Sequence, residues 1–232
     1  MVKVKPLSYL PNLITLSSLF CGCIGIVWAL DLNLQGAVYM IWACAILDLL
    51  DGLAARILKV SSELGKQLDS LSDLIAFGLL PATIIYVLSS QFLTQLWPYM
   101  AFLITVFSAL RLGRFNLDTQ QTVNFKGLPV PANAILISSF PVLVNQYSQN
   151  LRPELENPIY WLLIIGLLSY LLVSNVSLFG FKFQNLSWSE NKFRFLFIGF
   201  AVILGFTLGV SGIPWIMLMY VALSLVWQYQ RN

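Results

Sequence analysis

The sequence predicts an all-α, polytopic integral membrane protein with about eight transmembrane helices and both termini on the cytoplasmic side. Three observations carry this. The 232 residues are 58% hydrophobic and 10% charged, with a mean hydropathy of +0.80, which leaves no room for a large soluble domain. Apolar runs of helical length recur along the chain between short polar or Pro/Gly stretches. The 13 basic residues fall almost wholly on one side of that arrangement.

The elements follow in order. Lys3 and Lys5 precede a long apolar run that lacks a small-residue cleavage site, so this segment reads as retained rather than as a signal peptide. Pro11-Asn12 opens a first helix over 11–30, since proline suits a first turn. A polar turn follows, then a second helix over 36–58. The turn at 59–66 leads to a third helix over 67–88, and Gln91 to a fourth over 96–112. A polar loop runs to Gly127-Leu-Pro129-Val-Pro131, which enters a fifth helix over 132–147. A loop with Arg152, Glu154 and Glu156 precedes a sixth helix over 159–178. A seventh spans 193–210, and Gly212-Ile-Pro214 turns the chain into an eighth ending near 228.

The positive-inside rule tests this order. Lys3, Lys5, Arg56, Lys59, Lys66, Arg111, Arg114, Lys126, Lys182, Lys192, Arg194 and Arg231 share the side of the N-terminus, and Arg152 alone falls opposite. That assigns the N-terminal side to the cytoplasm and places the chain in the cytoplasmic (inner) membrane. The chain reads as one domain, 1–232, with membrane lipids around it and no nucleic-acid partner.

The chemistry concentrates between residues 48 and 73. Asp48, Asp51, Asp69 and Asp73 stand there, with Gly52, Arg56 and Gly65, inside apolar surroundings. Ionisable groups at membrane depth are costly and mark function. Positions three and four apart share a helix face, so Asp48, Asp51 and Gly52 line one side of the second helix and Asp69 and Asp73 one side of the third. If the two helices pack together, the carboxylates converge, and their mutual repulsion calls for cations between them. An all-oxygen ligand set suits a hard divalent ion such as Mg²⁺ or Mn²⁺, and a two-metal arrangement suits in-line displacement at phosphorus. The chain has no histidine, which excludes a His-based zinc site. Cys21, Cys23 and Cys44 lie in apolar runs and read as packing residues. Gly52 and Gly65 lack a Cβ and admit close approach of a ligand. Arg56 offers a planar fork for phosphate. The competing reading, a solvated cap and loop, accounts for one or two of the acids but not for four at this spacing. These features alone describe a membrane phosphotransferase opening to the cytoplasm.

The same stretch, Asp48-x-x-Asp51-Gly52-x-x-Ala55-Arg56, eight residues, then Gly65-x-x-x-Asp69-x-x-x-Asp73, resembles the signature of the CDP-alcohol phosphotransferases at every motif position. The resemblance implies a six-helix core, here followed by two further helices over about 193–228, and a homodimer. It implies displacement of CMP from a CDP-linked lipid by an alcohol. By the same token Asp48, Asp51, Asp69 and Asp73 hold two divalent ions, and Asp73 is the base that deprotonates the alcohol. Gly52 and Arg56 then lie along the cytidine diphosphate, and Gly65, Asn12 and Thr15 belong to the same subsite. Taken alone, Asn12 and Thr15 read equally well as caps of the first helix.

Further segments look like the bacterial and archaeal phosphatidylserine synthase branch. They are Pro11 to Gly22, Arg111-Leu-Gly-Arg114-Phe-Asn116, and Phe125-Lys126-Gly127-Leu-Pro129-Val-Pro131. The branch implies CDP-diacylglycerol and L-serine as substrates. Arg111 or Arg114 suits the serine carboxylate, Lys126 adds charge, and Asn116 suits the ammonium. Basic residues at this face also serve topology and anionic headgroups. Two alternatives stand beside this reading. One is a transferase of the same family using glycerol 3-phosphate, inositol phosphate or choline. The other is an intramembrane cation transporter, which would favour inverted repeats and broken helices at mid-membrane.

Overall fold

The computed structural model describes residues 9–60, 62–117, 125–180 and 188–230. Lys3, Lys5, Lys182, Arg231 and the side chain of Lys126 lie outside the described residues. Among the described residues the fold is all-α apart from one short strand pair.

α1 (Leu10–Leu30) buries Pro11, Thr15, Ser18, Gly22, Gly25 and Ala29, a stripe of small residues spaced three and four apart. Small residues let helices approach closely in a membrane, where packing rather than water exclusion drives association. A Cβ on Gly22 would stand 3.1 Å from the Cα of Ala76. α2 (Leu34–Leu58) packs along the same stripe, where the Cys44 thiol reaches the Ser18 carbonyl at 3.3 Å. Asn33 caps α2 by accepting from the Gly36 amide at 3.0 Å, and Lys59 closes it in the left-handed region, φ 53°.

α3 (Glu63–Ser90) starts one turn earlier than the 67–88 expected from apolar pattern. The Ser62 hydroxyl accepts from the Gly65 amide at 2.9 Å, a cap that supports a polar first turn. Over Leu74–Leu79, just after Asp73, the helix widens into a π turn. Pro81 supplies a reason: it donates no N–H, and its ring would strike the carbonyl four residues back in a regular helix. The widened turn is also where α4 docks, through the Thr105 hydroxyl donating to the Gly78 carbonyl at 3.2 Å.

α4 (Trp97–Leu117) opens as a 3₁₀ helix over Trp97–Phe102. The fifth expected helix is broken in two, α5 (Val130–Ser138) and α6 (Phe140–Tyr147), meeting at Ser139 just before Pro141. One turn, α7 (Arg152–Leu155), precedes α8 (Pro158–Val173). α8 stops short of residue 178, because Ser177–Leu178 (β2) pairs antiparallel with Phe125–Lys126 (β1). Gly127, at φ 74°, lies against the end of α8, where a Cβ would stand 2.7 Å from the Leu172 carbonyl oxygen. Beside it, Leu128 N–H donates to the Leu171 carbonyl at 2.8 Å. The Gly-Leu-Pro segment thus stoppers carbonyls that α8 leaves unpaired. α9 (Trp188–Leu208) and α10 (Ile213–Tyr229) follow, joined by a 3₁₀ turn at Gly209–Gly212 and packed on each other.

Among the described residues, five stretches are long and apolar enough to cross a membrane: α1, α2, α3, α4 and Asn191–Tyr229. The protein is a helical membrane protein. Its main core gathers Ile41, Phe77, Leu80, Ile84, Ile104, Ile137 and Ile165, while side chains such as Leu13, Ile57 and Phe206 remain exposed, as lipid-facing residues do.

Candidate active site

The two halves of the 48–73 stretch form the ends of α2 and α3, and both rest on the first turns of α1. Helical spacing puts Asp48, Asp51 and Gly52 on one face of α2. α3 begins at Glu63, shortly after α2 ends at Leu58, and brings Asp69 to meet them. Carboxylate oxygens of Asp48, Asp51 and Asp69 all lie within 4.8 Å of one another. Asp51 is 7% exposed. Asp73 lies a turn deeper on α3, half-buried and outside that triad, yet within electrostatic reach of the other three acids.

α1 fixes the triad. Thr15 Oγ1 donates to Asp51 Oδ2 at 2.6 Å. The Thr15 carbonyl accepts from the buried Ser72 hydroxyl at 3.1 Å. Ser72 stands between Asp69 and Asp73, so one residue of α1 holds both helices that carry the acids.

The triad opens into a cavity of about 820 Å³. Asn12, Thr15, Asp48, Asp51, Gly52, Gly65 and Asp69 line it, as do Lys59 and Lys66. Gly52 meets nothing within 4 Å of where a Cβ would be, and at Gly65 a Cβ would stand 3.0 Å from Asn12 Oδ1. Arg56 sits one turn beyond Gly52 on α2 with its side chain exposed.

The expected acceptor residues fall at the end of α4. Lys66 Nζ donates to the Asn116 carbonyl at 3.1 Å, and Asn116 Nδ2 donates to Ser70 Oγ at 2.8 Å. These bonds tie the end of α4 to the helix that carries Asp69. They also commit the Asn116 amide nitrogen and leave its side-chain oxygen to meet a donor. Arg114 is exposed, and Arg111, one turn back, is half-buried. The Lys126 main chain lies in β1.

Sequence reasoning read Lys59 and Lys66 only as topology charges. The signal for more was their place three residues after Arg56 and three before Asp69, on the helix ends that carry the acids. Ser72 gave no sequence signal, because it acquires its partner from a distant helix.

The donor set fits a divalent cation. Among the described residues no basic side chain forms an ion pair with the triad; Arg152 of α7 pairs with Glu156, at the end of the same helical turn. Three carboxylates this close, with one hydroxyl donor on Asp51, leave negative charge that a hard cation would balance.

The same residues are read by comparison. A family model described as CDP-alcohol phosphatidyltransferase matches residues 8–172. A Helicobacter pylori protein named CDP-diacylglycerol–serine O-phosphatidyltransferase is 35% identical over 199 residues, 85% of this chain and 82% of its own length. A Bacillus subtilis protein of that name is 33% identical over 180 residues, 76% of this chain and 93% of its own. An archaetidylserine synthase of Methanothermobacter thermautotrophicus is 36% identical over 151 residues, 63% of each chain. With the match running through the acidic triad and most of the helical core, the chain belongs to the CDP-alcohol phosphatidyltransferase family.

Proposed function

We propose that this protein transfers the phosphatidyl group of CDP-diacylglycerol to the hydroxyl of L-serine, giving phosphatidylserine and CMP. The observation that carries the reading is the convergence of Asp48, Asp51 and Asp69 at the cavity shared by Gly52, Gly65 and Lys66. The names of the relatives supply serine as the acceptor.

The geometry supports a single displacement. Asp48, Asp51 and Asp69, with Asp73 beneath them, would hold the divalent ions, Mg²⁺ or Mn²⁺. Bound there, the ions neutralise the diphosphate and the developing charge on the leaving oxygen. Asn12, Thr15, Gly52 and Gly65 admit the cytidine diphosphate, while Arg56, Lys59 and Lys66 attract its phosphates. Arg111 and Arg114 hold the serine carboxylate, with Asn116 and Lys126 beside them. Asp73 takes the hydroxyl proton onto its carboxylate. The serine oxygen bonds to the lipid-bearing phosphorus as the bond to the CMP phosphate breaks, and CMP leaves with the electron pair. No separate nucleophile is needed.

Topology completes the reading. α1, α2, α3, α4, the broken pair α5–α6, α8, α9 and α10 make eight crossings, which puts both termini on one side. Arg56, Lys59, Lys66 and Arg114 cluster at the cavity end, so charge bias supports a cavity facing the cytoplasm. The assembly is a homodimer in the cytoplasmic membrane.

The test is CMP release by the purified protein from CDP-diacylglycerol with Mg²⁺ or Mn²⁺. Serine, glycerol 3-phosphate, inositol phosphate and choline serve in turn as acceptor. Release driven by serine, with phosphatidylserine as product, is expected. Release driven by another acceptor overturns the specificity, and no release with any of them overturns the transferase reading.

A further inference from the structure

α3 and the end of α4 are joined by a closed ring of hydrogen bonds. Lys66 Nζ donates to the Asn116 carbonyl at 3.1 Å, Asn116 Nδ2 donates to Ser70 Oγ at 2.8 Å, and Ser70 Oγ donates back to the Lys66 carbonyl at 3.2 Å. We propose that Lys66, through this ring, is a positioning residue that couples the two substrates: with the donor's diphosphate in the acidic cavity, it holds the end of α4 in place for the acceptor. This rests on the reading that the donor fills that cavity and the acceptor meets the end of α4.

Lys66 belongs to both parts of the site. It lines the cavity together with Asp48, Asp51 and Asp69. It shares a turn of α3 with Asp69, three residues on. α4 ends at Leu117, so the Asn116 carbonyl is one of the terminal carbonyls that no helical N–H reaches. A cation there also meets the negative pole of the helix dipole. Lys66 is therefore a cap for α4 supplied by α3. An ammonium has three donors and no acceptor. With one donor spent on Asn116, a diphosphate oxygen in the cavity can take another without breaking the cap.

The other hydrogen bond that docks α4 on α3 is deeper. Thr105 donates to the Gly78 carbonyl at 3.2 Å, about three turns back along α4 from Asn116. Arg111 and Arg114 stand between these two attachment points. Lys66 is exposed, and a lysine on a long stem loses side-chain entropy when it is held in one place. A diphosphate bound beside it holds the ammonium and meets that cost once. The end of α4 is then better ordered in the donor complex than without donor. Acceptor affinity rises with donor bound, and by reciprocity donor affinity rises with acceptor bound.

The test uses the full chain in mixed micelles, with initial rates of CMP release over a grid of serine and CDP-diacylglycerol concentrations. In the wild type, KM for serine should fall about five- to tenfold from scarce to saturating CDP-diacylglycerol. Lys66→Met keeps the stem and removes the donors. It should raise KM for CDP-diacylglycerol and leave KM for serine independent of donor concentration. Lys66→Arg returns donors to the same place and should keep much of the dependence. Ser70→Ala opens the ring and leaves the ammonium at the cavity. At low serine its KM for CDP-diacylglycerol should stay within about twofold of wild type, while the dependence flattens. A purely structural lesion would instead raise both KM values and keep the dependence. A wild-type KM for serine that ignores the donor overturns the proposal. So does full dependence in Lys66→Met or in Ser70→Ala, or its complete loss in Lys66→Arg. A wild type driven by another acceptor overturns the serine reading alone, and the same grid with that acceptor still decides the coupling. No release with any acceptor overturns the transferase reading and this inference with it.

Discussion

Thr15 of α1 donates its hydroxyl to Oδ2 of Asp51 on α2 across 2.6 Å. Its own carbonyl accepts the Ser72 hydroxyl of α3 at 3.1 Å. A residue outside the acidic stretch therefore orients one carboxylate of the triad and anchors the helix that brings another.

Thr15→Val keeps the side-chain shape and removes the donor. The Asp51 carboxylate is then free to rotate, and a supporting hydrogen bond of this kind typically tunes metal affinity. The divalent ion needed for half-maximal CMP release should rise about tenfold, with a smaller change in the maximal rate. A metal titration of the variant checks this, and an unchanged midpoint would remove Thr15 from the site.

Asp73→Asn keeps the volume and removes the proton acceptor. Turnover should fall about 10²- to 10⁴-fold. Binding of CDP-diacylglycerol in the presence of metal should persist, because Asp48, Asp51 and Asp69 are untouched. Equilibrium binding of a labelled CDP-lipid, measured beside the rate, separates the two effects.

Removal of metal should silence the protein reversibly. Chelation should abolish CMP release, and Mg²⁺ or Mn²⁺ should restore it. Chelation should also lower the melting temperature in detergent, since the triad then keeps its repulsion without a counter-charge. Full activity after exhaustive chelation would contradict the role given to the acids.

Gly127→Ala tests the stopper at the end of α8. A Cβ there would stand 2.7 Å from the Leu172 carbonyl oxygen, at a φ of 74° that disfavours side chains. The variant should lose about 1–3 kcal/mol of stability from strain at this position, read as an earlier thermal transition. The adjacent β1–β2 pair should loosen with it, so KM for the acceptor should rise before that for the CDP-lipid.

Much of the site was legible before any coordinates. Spacing of three and four put Asp48, Asp51 and Gly52 on one helix face and Asp69 and Asp73 on another, because helical periodicity is local. The gathering of Asp48, Asp51 and Asp69 followed from a short turn between two helices. The breaks were less legible. The π turn after Asp73 and the division at Ser139 accompany Pro81 and Pro141, whose missing N–H is plain in sequence. How a helix absorbs that loss depends on what packs beside it.

By itself, then, the sequence determined a helical membrane protein, the faces of α2 and α3 that carry the acids, and the hard-cation character of the ligand set. Composition, periodicity and side-chain chemistry are each properties of a residue and its near neighbours. The tertiary structure decided that Asp73 sits below the triad rather than within it, and that Thr15 holds Asp51 and Ser72 together. It also decided that Lys66 and Ser70 bind Asn116. Each of these joins residues from separate helices. Such contacts are fixed by how the helices pack and leave no periodic trace in the chain.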